Sequence, residues 1–215
     1  MTLPRRDPEG ATVIPLEARA GEHLRVIRET LERSASFSTI PGWGGAAMGL
    51  TGAAAAVCAS RAERPERWLE VWLAAAVVAA GIGLAAMWRS ARRAGLPLLA
   101  GPGRRFATVF SAAIFSGALL TLALDRSGQF ALLPAVWLLL YGTALVGGGT
   151  ISVTMVRSMG YGFLLLGTAA VFAPLAVGNW LLGGGFGVLQ IIVGILLARR
   201  QRGQERSPAE RSNRA

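Results

Sequence analysis

The sequence predicts an all-α fold, a polytopic membrane bundle of six transmembrane helices with an amphipathic N-terminal helix at its cytoplasmic or interfacial face. Three observations lead there. Only 16% of the 215 residues are charged, while 53% are hydrophobic; an ordinary soluble domain carries about 25% charged residues. The deficit is confined to long uncharged runs, at 34–60, 71–88, 106–124, 127–156 and 158–198. Those runs lack the period-2 alternation that a membrane β-barrel requires.

A helix needs roughly 20 apolar residues to cross a hydrocarbon core about 30 Å thick. The first four runs each supply one span. The fifth is too long for one, because a single helix over 158–198 would extend about 60 Å. Its break is expected between Ala173-Pro174 and Gly178-Asn179, where Pro and Gly favour a turn. The predicted spans are about 41–60, 68–88, 106–124, 131–151, 157–176 and 180–198. Residues 1–16 read as a disordered N-terminus, 17–40 as the amphipathic helix and its elbow, 41–198 as the transmembrane domain, and 199–215 as a basic disordered tail. No cleaved signal is expected, since the first forty residues are polar and lack an apolar core segment.

Orientation follows from arginine, which supplies every one of the 22 basic residues. Six spans with both ends cytoplasmic put Arg61, Arg64, Arg67 and Arg126 outside and all other arginines inside. That is a strong positive-inside pattern. The acids balance the outer arginines, so the formal net charge of +10 falls on the cytoplasmic face. The expected location is a bacterial cytoplasmic (inner) membrane. A basic chain also suggests nucleic acid, but no recognised nucleic-acid module accompanies the charge. Anionic lipid headgroups are the partner that the arginines fit.

Within 17–36, Ala20, Leu24, Ile27, Leu31 and Ser34 form one helical stripe. Glu29 and Arg33 stand at i,i+4 on the charged side. This helix suits the bilayer surface, docking on cytoplasmic loops, or a partner helix. His23, the single histidine, lies beside the stripe and reads as solvated or interfacial rather than as a ligand. The stretch SASFSTIPGWGG that follows is the elbow into the first span, with Pro41 at a helix start and Trp43 at the interface. The loop AGLPLLAGPGRRF holds Leu96, Leu98 and Leu99 beside Arg104 and Arg105. A helix N-terminus with two guanidiniums is a candidate lipid-phosphate site, and Trp43 is its candidate docking neighbour. The plainer reading is topology anchoring.

The spans contain no Asp, Glu, Lys, Arg or His away from their ends. Proton relays, charged pores and haem or metal ligation depend on such groups, and Ser111 or Ser116 would lack a base for nucleophilic chemistry. No enzyme activity, catalytic residue, metal site or cofactor is therefore predicted. Gln190, deep in the last span, is the candidate intramembrane polar site; such an amide bonds a neighbouring helix or a ligand. Cys58, the single cysteine, forms no intrachain disulfide and is expected to be a small buried side chain.

Small residues recur at four-residue spacing, in Gly45–Gly49–Ala53, Ala79–Gly83 and Gly183–Gly187. Such faces pack within a bundle or form a homo-oligomer. The glycine triplets Gly147–Gly149 and Gly183–Gly185 loosen their helices near a membrane edge. A faint parallel repeat relates Gly42-Trp43-Gly44-x4-Gly49 to Gly160-Tyr161-Gly162-x4-Gly167, and Trp68-Leu69 to Trp180-Leu181.

The segments RETLERSASFSTIPGWGG, GLPLLAGPGRRFA, LLPAVWLLLYG and FGVLQIIVGILLARR resemble a family of bacterial integral membrane proteins with R-x-T-x-E-R, P-G-W-G and P-L-L-x-G-P blocks. The resemblance runs from His23 to Arg200 and implies no activity, cofactor or catalytic residue. It implies a small winged-helix regulator as a candidate cytoplasmic partner. Two functions stay open. One is a non-enzymatic membrane scaffold or sensor component acting through its cytoplasmic face, favoured by the absence of a charged translocation path. The other is a transporter or exporter of a neutral or lipophilic solute, using glycine-loosened helices and Gln190.

Overall fold

The structure is a computed structural model that describes residues 42–94, 102–148 and 154–212, with side chains described over 42–93, 107–148 and 155–203. The amphipathic segment at 17–36, His23, the elbow before Gly42, the 95–101 loop and the side chains of Arg104 and Arg105 lie outside the described residues. Every described element is helical. In chain order they are α1 (Gly42–Ala59), α2 (Pro65–Ala94), α3 (Pro102–Arg126), a 3-10 turn (Phe130–Leu132), α4 (Leu133–Gly148) and α5 (Thr154–Val171). Then come α6 (Leu175–Leu182), a π-helical segment (Gly183–Leu189) and α7 (Gln190–Ser212).

The last three follow one another without a break, so the described chain makes six helical rods. Four are long and apolar enough to cross a membrane, over Pro65–Arg93, Ala107–Arg126, Phe130–Gly148 and Leu175–Gly203. Met155–Val171 is a shorter apolar helix. Helix α1 matches the first predicted span in position, but it is built largely from glycine and alanine.

Two boundaries differ from the sequence reading. The break in the long C-terminal run falls at Phe172–Pro174, at the Ala173-Pro174 end of the expected stretch, so the last rod starts at Leu175 rather than near 180. Pro174 holds an extended backbone (φ −66°, ψ 159°) at the N-cap of α6, which suits a residue that cannot continue the preceding helix. Gly178 and Asn179 therefore lie inside a helix and are buried. At the other end α7 runs on to Ser212, through residues read as a disordered tail. A helix already nucleated by the span extends cheaply through good helix formers such as Gln201 and Arg202.

The packing is antiparallel and dominated by small residues. Gly42 abuts Ala198, Gly45 faces Gly194, Gly49 meets Gly187 and Ile191, and Gly52 lies on the Phe186 carbonyl. Higher numbers in α1 thus meet lower numbers in the last rod. At Gly42, Gly49, Gly52 and Gly194 an added Cβ would strike the neighbour's backbone. The Gly45–Gly49 face and the Gly183–Gly187 face are therefore turned toward each other within the bundle. Helices α4 and α5 form a second close pair, in which Gly142 and Gly160 approach each other's carbonyl oxygens and Gly167 lies on Leu139. Leu133, Leu138, Leu145 and Phe163 fill the core between the pairs.

Helices α2 and α3 are peripheral. The first is seated on α1, with Gly83 against Met48, and the second on α4, with Gly117 against Trp137. They are consecutive in the chain, yet they do not pack on each other to any extent. At the turn after α3, Gly128 adopts φ 69°, a left-handed conformation that favours glycine.

Replacing Gly52 by alanine should destabilise the folded protein by about 1–3 kcal/mol through overpacking. Gly81 has open space around it, so Gly81→Ala should be neutral or slightly stabilising. Thermal unfolding of both variants in the same detergent checks the difference.

Candidate functional site

A cavity of about 170 Å³ lies at mid-height in the bundle. Its walls come from five rods, with Met48 of α1, Trp72 of α2, Ile114 of α3, Tyr141 of α4 and Phe186 and Gln190 of the last rod among the lining residues. Leu73, Ala76, Ala80 and Ile114 also line it and are exposed. The cavity therefore reaches the surface sideways, through the gap between α2 and α3. Its size compares with an engineered cavity of about 150 Å³ that stays dry and admits benzene.

The tryptophans around it have their N–H groups held by side-chain oxygens. Trp68 Nε1 and Trp72 Nε1 both donate to Asn179 Oδ1, at 2.9 and 3.0 Å, and Asn179 Nδ2 donates to the Ala56 carbonyl at 3.0 Å. One buried amide thus ties α2 and α1 to α6. Trp137 Nε1 donates to Thr121 Oγ1 at 3.0 Å, and that hydroxyl donates to the Gly117 carbonyl at 2.8 Å. With these groups satisfied, the cavity surface is nearly all hydrocarbon and aromatic.

Gln190 is the exception. It is 6% exposed, and its side chain is hydrogen-bonded to the Tyr141 hydroxyl. Oε1 is buried without a partner, so the bond runs from the amide Nε2, which can only donate. A buried carbonyl oxygen left without a donor costs about 1–3 kcal/mol. Tyr141 is itself fixed by aromatic neighbours, with ring centroids 5.2 Å from Phe110, 4.7 Å from Phe163 and 4.8 Å from Phe186.

The π segment sets the position of Gln190. It starts at the Gly183–Gly185 triplet, where the absence of side chains lowers the preference for a regular α-helix. Gly183 and Gly187 press on α1, and Gly185 presses on Leu138 and Phe163. The Gln190 N–H closes the wide turn by bonding the Gly185 carbonyl. Such π turns are rare and often mark functional sites. The sequence reading placed this triplet near a membrane edge. In the bundle Gly183 lies against Ala56, toward the C-terminal end of α1.

The other predicted positions lie apart from the cavity. Trp43 is 56% exposed and carries Arg202 over its ring at 5.2 Å. Gln201 Oε1 accepts from the Gly42 N–H at 3.3 Å, which covers a free donor at the start of α1. Trp88 on α2 is stacked by Arg92 at 4.4 Å. Arg104 and Arg105 lie in the first turn of α3, and neither is brought to Gln190. Cys58 is exposed, which corrects the expectation of burial; it projects from the face of α1 opposite the glycine stripe. Ala79 lines the cavity. Ser111 Oγ donates to the Thr108 carbonyl on its own helix. The two halves of the faint repeat agree in the buried glycines and the exposed Trp43 and Tyr161. They part at the second motif, where Trp68 is buried and Trp180 exposed.

Sequence reasoning reached Gln190 but missed Tyr141 and the Trp68–Trp72–Asn179 node. Asn179 carried a usable signal, an amide in an otherwise apolar run, but its nearness to proline and glycine assigned it to a turn.

No family model, curated protein or solved structure matches the chain, so geometry alone carries the functional argument.

Replacing Asn179 by leucine removes the one oxygen that both indoles share and should destabilise the protein by about 2–6 kcal/mol, at about 1–3 kcal/mol for each orphaned donor. Chemical unfolding in micelles measures the loss.

Proposed function

We propose that this chain is a six-span membrane protein that takes an uncharged, mainly apolar molecule from the bilayer into the crevice between α2 and α3, as a transporter or exporter of lipophilic solute would. The observation that carries this reading is the sideways-open apolar cavity lined by residues of five rods. Small-molecule sites are mostly apolar concavities with a few placed polar groups. No titratable carboxylate or cation lines this cavity, so an uncharged ligand fits its chemistry. The role is binding and movement rather than catalysis.

The proposed orientation has both termini cytoplasmic in a bacterial inner membrane, with α1 and the fifth rod completing the six spans. Its support is the arginine distribution together with Trp43–Arg202 and Trp88–Arg92 near one end of the bundle. Aromatic rings at the interface and arginines that extend toward water are the expected anchors there. The scaffold or sensor reading depends on the N-terminal helix and the Leu96–Arg105 loop, with a winged-helix regulator as its candidate partner. The cavity moves the preference to lipophile handling.

Protein extracted in mild detergent from its own membranes should carry apolar compounds detectable by native mass spectrometry. Ala79→Trp, which fills the cavity from α2, should reduce that load at least fivefold while leaving the helical content unchanged. Equal loads in the two proteins would count against the proposal.

A further inference from the structure

We infer that this cavity takes a single extended hydrocarbon chain, an alkyl or acyl chain lying along the helix axes, rather than a compact or fused-ring lipophile. The inference rests on the cavity-binding reading above and adds the class of molecule that is bound.

The cavity is long for its volume. A compact void of about 170 Å³ would be about 7 Å across, little more than one helical turn. The lining extends well beyond that. It runs from Trp68 to Ala80 on α2 and from Leu133 to Tyr141 on α4. At ~1.5 Å per residue these are walls about 18 and 12 Å long. The same volume drawn out over that length makes a narrow slot. Its α2 wall includes Ala75, Ala76, Ala79 and Ala80, whose side chains are too short to divide it. The walls from other rods include Phe110, Trp137, Tyr141 and Phe186. Tyr141 packs against both phenylalanines, with ring centroids 5.2 and 4.8 Å away, and Trp137 is held by Thr121. Interlocked rings of this kind keep the slot narrow. An extended chain fills such a space along its whole length. A wider ring occupies part of it and leaves the rest empty, and walls without partner atoms lose their dispersion contacts. An extended chain advances a little less than one ~1.5 Å bond per carbon, so about 10–14 carbons match these walls. The opening between α2 and α3 admits the chain sideways, without threading from one end, and leaves room for a polar end outside.

Tryptophan emission supplies the test. Of the six tryptophans, Trp68, Trp72 and Trp137 line the cavity, and Trp43, Trp88 and Trp180 are exposed. With the exposed three replaced by phenylalanine, emission comes from the cavity alone. The full chain with these replacements is titrated in nanodiscs with 1-bromododecane and with bromocyclododecane, a chain and a ring of equal carbon number. Bromine quenches indole on contact. Quenching by the chain should saturate, with half-saturation at about one tenth the concentration that the ring requires. Ala76→Phe, which sets a ring across the slot, should abolish saturable quenching at unchanged helical content. Equal half-saturation, or a preference for the ring, would overturn the chain assignment while leaving cavity binding intact. Saturation by neither probe, or saturation retained in folded Ala76→Phe, would overturn cavity binding itself. Nanodiscs of phosphatidylcholine brominated along one acyl chain separate two sources of the same chemistry. Quenching that added dodecane relieves supports a lipid acyl chain as the occupant, and no such quenching supports a free single-chain lipophile.

Discussion

Backbone-to-backbone contact between α1 and the last rod is the constraint on which the remaining structure depends. Close van der Waals packing holds two helices together where their backbones can approach each other. Glycine provides it here on both partners. Gly42, Gly49 and Gly52 lie directly on the main chain of the facing helix, and the partner's Gly187 and Gly194 return the contact. The seam joins the first and last described helices and so closes the bundle. It also fixes Met48 and Gly52 beside Phe186 and Gln190, forming the floor of the cavity.

That floor is rigid, and its walls are differently rooted. Helix α2 is carried by α1 and by the Asn179 amide, whereas α3 is carried by α4. Each wall thus has its own foundation, and neither depends on the other. The polar groups follow the same division of labour. Asn179 and Thr121 spend their hydrogen bonds on holding indoles in place, and Gln190 spends only its nitrogen. Burial away from water makes an unpartnered polar atom costly, so the unpartnered oxygen of Gln190 stands out against these satisfied groups.

The helical class and the near positions of all six rods were legible in the sequence because charge exclusion and length are one-dimensional signals. The glycine stripes were legible too, as spacing. What spacing could not give was the partner: Gly45–Gly49 faces Gly194 and Gly187, and no pattern within either helix specifies that pairing. The C-terminal break was bracketed rather than pinned, because Pro174 and Gly178 both resemble turn residues. Only Pro174 starts a helix; Gly178 lies inside one and packs closely on Pro134. Gln190 was recognisable as an amide in an apolar run. Its free oxygen was not, since that depends on Tyr141, 49 positions earlier in the chain, and on a π turn that composition alone does not specify.

The glycine seam also governs how this protein can diverge. Gly42, Gly49, Gly52 and Gly194 have no room for even one added carbon, so descendants must keep these positions small or repack the seam. Among the described residues the outward faces of α2 and α3 meet no protein neighbour, which leaves them free to drift. Because the same two helices shape the crevice mouth, lineages can retune which molecules enter while inheriting an unchanged scaffold. Diversity of ligand and conservation of architecture are thereby separated onto different helices.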